Sequence, residues 1–423
     1  MRTIPFQSAD ILLPCGCDYE MWSVVACDQY TSQPEYWQRV QTKVGNTPSA
    51  LHLILPEYRL ECGGVELDIL SINKTMEQYL EQKQFELYQN AIFYVERTLH
   101  NGKIRRGLVG VIDLEQYDYT PGSNALIRAT EGTVLSRIPP RVEVRKHAPI
   151  ELPHVMLLMD DREQSVIEPL SEQTAQMTPL YGFELMEDGG HICGWALNEE
   201  QKAQVHQSLA ALMEERRFET LYQAQGKGVM LFAVGDGNHS LATAKECYEQ
   251  QKKVTPQEQW DTLPSRYALV ELNNLHDPSL EFEPIHRVVF DVEPQELIEA
   301  LCACYPESHS GQGDGHVLHY CYGETQGTIT VPHPTAQLPV GTLQAFLDVY
   351  VQQHPDCRVD YIHGADVVQE LAQSPNTVGF FLPPMEKENL FPTVIHDGVL
   401  PRKTFSMGEA QDKRFYLEAR KIQ

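Results

Sequence analysis

The sequence predicts an α/β to α+β protein, with mixed sheets, flanking helices and two or three packed subdomains. Three observations carry that expectation. The 423 residues exceed what one ordinary core accommodates. Apolar runs of strand length alternate with segments of helical spacing along the whole chain. One segment, Val229-Met-Leu-Phe-Ala-Val234, leads through a polar turn at Gly235 to Ser240 and into a helical start ending near Lys245. Such a joint of strand, turn and helix is the building block of open α/β sheets.

In chain order, Met21 to Ala26 is expected as a buried strand. Glu35 to Lys43 is a short helix with Pro34 at its start, where a missing N–H does no harm. Ser71 to Leu87 is a longer helix, since Ile72, Met76, Tyr79, Leu80 and Phe85 fall near helical spacing. Phe93 to Leu99 and Arg106 to Leu114 follow as strands. A second region begins near Glu151 with a strand over Leu152 to Met159, then one long amphipathic helix over Asn198 to Glu219. The motif strand, a helix to about Lys253 and a strand over Tyr267 to Leu272 complete a βα-type unit. A third region starts near Val289, with helices over Pro294 to Tyr305, Leu343 to Gln352 and Gly364 to Ala372. Its strands lie near Val317 to Tyr322, Thr328 to Val331 and Val378 to Leu382, and Ser308 to Gly315 is a surface loop. The expected regions are therefore 1–150, 151–288 and 289–423.

Composition narrows the function classes. With 33 basic and 59 acidic residues the formal charge is −26, which opposes duplex nucleic acid and anionic membranes as partners. No run approaches the ~18 apolar residues needed to span a bilayer. The start, Met1 to Asp10, loses apolar character too early for a signal peptide, so a cytoplasmic setting is expected. Ten cysteines are scattered with two C-x-C pairs, Cys15/Cys17 and Cys302/Cys304, and no C-x-x-C. Reduced thiols used as small core residues are the expectation, rather than a structural metal.

The motif turn concentrates the chemistry. Gly235 and Gly237 permit backbone angles that other residues resist, and Asp236 or Asn238 can cap the following helix. Free amides and a positive dipole end then aim at one point, which suits a phosphate. The same dipeptides also form plain turns. The common phosphate-loop and dinucleotide fingerprints are absent. Asp28, in Asp28-Gln-Tyr-Thr-Ser32, is either a site carboxylate or a cap before the Glu35 helix. Arg128-Ala-Thr-Glu131-Gly and Arg137-Ile-Pro-Pro-Arg141 offer arginines that either clamp an anion or form exposed ion pairs. His276-Asp277-Pro278 and Pro284-Ile-His-Arg287 rank lower, since a single histidine is usually structural, and Leu400-Pro-Arg402-Lys-Thr-Phe-Ser406 is either a lid or anion contact or an exposed edge carrying protective charge.

Taken in order, these pieces resemble the family known as domain of unknown function 1015. That family carries a D-G-H-H-R turn before a helix; here the turn is Asp236-Gly-Asn-His-Ser240, with Asn238 for the first histidine and Ser240 for the arginine. Arg128 to Glu131, Asp277-Pro278, Pro284 to Arg287 and Leu400 to Thr404 match the family order. The turn is in turn similar to the phosphate-binding turn of ParB and sulfiredoxin-like domains, some of which are nucleotide-dependent kinases of free serine. The resemblance implies a nucleotide-dependent phosphotransferase acting on a small hydroxyl metabolite, or alternatively a protein that binds a nucleotide or acidic metabolite without turnover. In the first version Asp236 holds Mg²⁺ and ATP or ADP is the cofactor. His239 and the amides of Gly237, Asn238, His239 and Ser240 stabilise the moving phosphoryl group. Asp28 or Glu131 acts on the acceptor hydroxyl, and Arg128 and Arg287 neutralise charge. Lys245, Arg128 or Arg287 could stand in for the missing arginine of the turn.

Overall fold

A computed structural model describes residues 3–31, 33–60, 63–133, 138–152 and 155–423. Ser32, Cys62 and Arg137 lie outside the described residues. The fold is α+β and divides into two compact units, Met1–Leu280 with Gly408–Gln423, and Glu281–Met407. Strands from the expected regions 1–150 and 151–288 share one sheet. The strand Tyr267–Asn274 pairs with Ile104–Asp113 on one side and Met156–Met159 on the other, so one sheet unites both sides of residue 150.

That sheet is the frame of the first unit. Its strands run in the order Tyr181–Glu184, His191–Ala196, Phe93–Thr98, Ile104–Asp113, Tyr267–Asn274, Met156–Met159, Phe232–Asp236, Ile127–Arg128 and Tyr117–Asp118, with Phe6–Gln7 added beside Ile104–Asp113. The first five are mutually antiparallel. Met156–Met159 is parallel to Tyr267–Asn274, and Phe232–Asp236 is antiparallel to Met156–Met159 but parallel to Ile127–Arg128. The central strands are buried almost throughout, which explains their unbroken apolar runs, Leu108 to Ile112 and Ala268 to Val270.

Local sequence accounts for the flanking helices. Pro34–Val44 opens on its proline and turns Tyr36, Trp37, Val40 and Val44 inward. Glu199–Leu212 begins with a reciprocal capping box between Asn198 and Gln201. The single helix expected over Asn198 to Glu219 is two, because Glu214 is extended at φ −63° and ψ 120° before Glu215–Tyr222. Likewise Val65–Glu81 ends short of Leu87: Lys83 takes a left-handed φ of 55°, and Phe85–Ala91 leaves as a strand paired with Ala9–Pro14.

Met21 to Ala26 is buried as expected but is not a sheet strand. Tyr19–Trp22 forms a helical turn, and the residues after it pair with the chain's far end. Ala26 N–H donates to the Lys413 carbonyl at 2.7 Å, and Phe415 N–H donates to the Val24 carbonyl at 3.0 Å. A second crossing pairs Leu12 with Ala419. Residues 408–423 are thereby threaded into the first unit, and Phe415, Leu417 and Ala419 join its core beside Trp22, Val24 and Leu269.

The second unit is built on a seven-stranded antiparallel sheet, ordered His309–Ser310, Thr325–Val331, His316–Tyr322, Thr377–Phe381, Phe282–Phe290 and Arg358–His363, with Phe405–Met407 against the start of Phe282–Phe290. Its helices are Pro294–Cys304, Pro339–Gln353, Ala365–Leu371 and Leu390–Asp397. The strand at Arg358–His363 and the short one at His309–Ser310, inside the expected surface loop, carry too little apolar alternation to be legible in sequence. Among the described residues no helix is long and apolar enough to cross a membrane.

Candidate functional site

The motif strand Phe232–Asp236 and the motif helix Asn238–Lys252 meet at Gly237. The pairing of this strand with Met156–Met159 shifts register between Val234 and Asp236, so Gly235 is an extra residue and Asp236 is re-aimed at the strand's end. Gly237 is the cap residue of the helix at φ 82°, a conformation that favours glycine. A side chain there would also crowd Val155, whose Cγ2 lies 3.0 Å from where a Cβ would stand. Neither Asp236 nor Asn238 is therefore the cap residue. Asp236 Oδ1 instead accepts the Gly237 amide at 2.9 Å.

Asn238, the first helical residue, clamps a neighbouring segment. The Thr130 amide donates to Asn238 Oδ1 at 3.2 Å, the Asn238 amide group donates to Thr130 Oγ1 at 3.2 Å, and Thr130 Oγ1–H donates to the Val234 carbonyl at 2.6 Å. This ties Glu131, one residue on, to the motif turn. The asparagine that departs from the family turn thus has a defined structural role.

The key partner of the turn comes from far along the chain. Lys413 Nζ lies 3.1 Å from Asp236 Oδ2, and the two side chains are each 22 % exposed. Burial works against the Lys413 ammonium, yet its pKa is raised, by Asp236 first, then Asp28, and also Glu131. Asp28, Glu131 and Asp236 therefore share the electrostatic neighbourhood of one cation. Asp28 arrives there because the 24–26 segment pairs with residues 413–415. Sequence reasoning missed Lys413; the only signal was the apolar run Phe415 to Leu417 just after it, which marks a buried extended segment.

Behind this pair lies a polar cavity of about 20 Å³, bordered by Asp236, Lys413, Arg105, Glu271, Tyr416 and Glu418. Arg105 donates to Tyr416 Oη at 2.6 Å, Tyr416 Oη–H donates to Glu271 Oε2 at 3.0 Å, and Tyr181 Oη–H donates to Glu418 Oε1 at 2.5 Å. Burial raises the Glu418 carboxyl to about 7, with neighbouring Glu271 adding to the rise and the Tyr181 bond opposing it.

The remaining expected residues have bonds of their own. Arg128 is buried, and its guanidinium donates to the carbonyls of Ala125 and Gly228, so it braces a loop instead of clamping an anion. Desolvation lowers its pKa to about 10. Lys245 donates to the Leu114 carbonyl at 2.9 Å and pairs with Glu249. Arg287, in the second unit, is fully buried and donates to Gln344 Oε1, the Ile285 carbonyl and the Arg402 carbonyl at 2.7–2.9 Å, beneath the Tyr361 ring. It is committed within its own unit. Arg402 and Lys403 face the same ring. His286 is buried there, accepts the Leu382 amide at Nδ1, and has its pKa lowered by burial. His276 meets Asp160 at 2.6 Å, past the Met159 end of its strand, whereas Asp236 pairs at the opposite end, Met156. His239 and Ser240 occupy the first turn of the motif helix. Among the described residues no group of three His, Cys, Asp or Glu side chains is placed to hold a metal ion. Asp236 alone supplies a carboxylate suited to Mg²⁺ only in company with phosphate oxygens.

The first unit thus defines an α+β protein whose strand–turn–helix joint carries an Asp236–Lys413 ion pair, with Asp28 and Glu131 in the electrostatic range of the lysine. The chain matches the family model described as protein of unknown function (DUF1015) over residues 14–350, and it belongs to that family. A search of the curated proteins finds no match. Solved structures similar to it include free serine kinase in complex with AMP, at 10% identity and TM-score 0.38, covering 74% of this chain and 90% of that one. A C-terminally truncated SbnI from Staphylococcus aureus is 10% identical, with TM-score 0.36 and coverage of 71% and 82%. A conserved hypothetical protein from Pyrococcus furiosus is 12% identical, with TM-score 0.35 and coverage of 71% and 90%. TM-scores below 0.5 do not establish a shared fold.

Proposed function

We propose that the protein is a nucleotide-dependent phosphotransferase acting on the hydroxyl group of a small metabolite. The observation that carries this reading is the grouping of Asp28, Glu131 and Asp236 about Lys413, at the amino end of a 15-residue helix. The helix end and Lys413 favour a phosphate. Lys413 takes the place left by Ser240 in the family turn. The terminal phosphoryl group passes from its bridging oxygen to the acceptor oxygen, and the hydroxyl proton passes to Asp28 or Glu131. Asp236 would hold Mg²⁺ against phosphate oxygens, where the ion supplies charge neutralisation.

A second reading, binding without turnover, is favoured by one observation: Arg128 and Arg287 are committed to carbonyl oxygens and offer no arginine clamp. Calorimetry with MgATP and MgADP, followed by ³¹P NMR on a panel of hydroxyl metabolites, separates the two. Lys413→Met and Asp236→Asn are expected to weaken nucleotide binding ~10–100-fold, the loss of one charge-assisted contact. Binding without product selects the second reading. No nucleotide binding in the wild type overturns the first reading and leaves the second only with an acidic metabolite as its ligand.

A further inference from the structure

A cavity of about 170 Å³ lies against the motif helix in the first unit, apart from the polar cavity at Lys413. We infer that it binds a compact, ring-sized apolar group of a small molecule, and that this group belongs to a ligand whose polar end reaches the Asp236–Lys413 cluster. The second half of the inference rests on the phosphotransferase reading; the first does not.

Size is the first argument. The pocket opens to solvent, and its volume of about 170 Å³ compares with the roughly 150 Å³ of an apolar cavity that takes benzene. The walls are the second. Leu53, Leu55, Met76, Leu241, Leu269 and Phe415 surround the space, and all are at least nine-tenths buried. The charged side chains at its border are paired with one another: Arg141 with Glu57, and Glu151 with both Arg145 and Arg420. Thr243 donates its hydroxyl proton to the His239 carbonyl. The interior therefore asks for apolar surface, and burial pushes the Cys27 thiol pKa up.

Position is the third argument. Val155 borders both this cavity and the polar one holding Asp236 and Lys413. Two lining residues lie close to cluster residues in sequence: Cys27 precedes Asp28, and Phe415 lies two beyond Lys413. The two spaces thus share Val155 as a bordering residue, which brings a ring in the cavity near a polar group at the cluster. Two sources supply that chemistry: the base of a nucleotide, or the apolar part of the acceptor.

The test uses the full chain with fluorobenzene as probe, followed by ¹⁹F NMR. Wild type is expected to bind it saturably. Ala244→Leu, which fills the cavity from the motif helix, is expected to weaken binding at least tenfold, and Leu55→Ala to admit indole in addition. If the base is the occupant, MgATP displaces fluorobenzene, and Ala244→Leu weakens MgATP tenfold while leaving magnesium tripolyphosphate unchanged. If the acceptor is, MgATP binds both proteins equally and displaces nothing. Fluorobenzene binding without any nucleotide binding sinks the phosphotransferase reading but leaves the cavity site standing. No saturable fluorobenzene binding, or binding that survives both variants unchanged, overturns the inference.

Discussion

Glu418 sits in the core of the first unit with Tyr181 donating to it at 2.5 Å and Glu271 close by. Its carboxyl is raised from the ordinary 4.5 to about 7, chiefly by burial. Between those values the folded chain holds a proton that the unfolded chain has released. The resulting stability is fully present below the unfolded pKa and is lost as pH rises through about 7. At ~1.4 kcal/mol per pH unit the loss amounts to about 3 kcal/mol. Glu418→Gln stays neutral and keeps an oxygen to accept from Tyr181, so it lacks this slope. All four tryptophans, Trp22, Trp37, Trp195 and Trp260, belong to the first unit, so their fluorescence follows its unfolding alone. In urea titrations from pH 5 to pH 8, the variant is expected to gain ~2–3 kcal/mol relative to wild type. Parallel stability curves for the two proteins would refute a proton held at Glu418.

Three further outcomes are expected. Gly237→Ala meets both a φ of 82° and the Val155 side chain, and should lower first-unit stability by ~1–3 kcal/mol in the same fluorescence assay. Thr130→Val removes the hydroxyl that bonds Val234 and Asn238; a loss of ~1–3 kcal/mol, with weaker nucleotide binding in calorimetry, is the expected result. Arg287→Met leaves three buried oxygens without their donor, and hydrogen exchange should show faster opening of strand Phe282–Phe290, with the tryptophan transition unmoved.

The strand, turn and helix of the motif were legible because apolar run, glycine pair and helical spacing are all local. So were three second-unit helices, although Pro339–Gln353 begins four residues before the expected Leu343. What sequence could not convey was partnership. Arg128 looks like an anion clamp beside its glycine-rich neighbours, yet only the fold shows that Ala125 and Gly228 carbonyls surround it. Asn238 looks like a helix cap, yet Thr130, more than a hundred positions away, decides its bonds. Asp28 and Glu131 were legible as candidate carboxylates, while the cation that relates them, Lys413, is nearly two hundred residues from the motif's start. The motif's strand sits antiparallel to Met156–Met159 and parallel to Ile127–Arg128, in keeping with the mixed sheets expected.

The pairing of Ala26 with Lys413 has a consequence for how the protein is made. Translation delivers the first unit in two instalments, with all of Glu281–Met407 synthesised between them. Until the second instalment leaves the ribosome, Asp236 lacks its Lys413 partner and residues 24–26 lack theirs. The core around Trp22, Val24 and Leu269 therefore closes only once Phe415, Leu417 and Ala419 have been made.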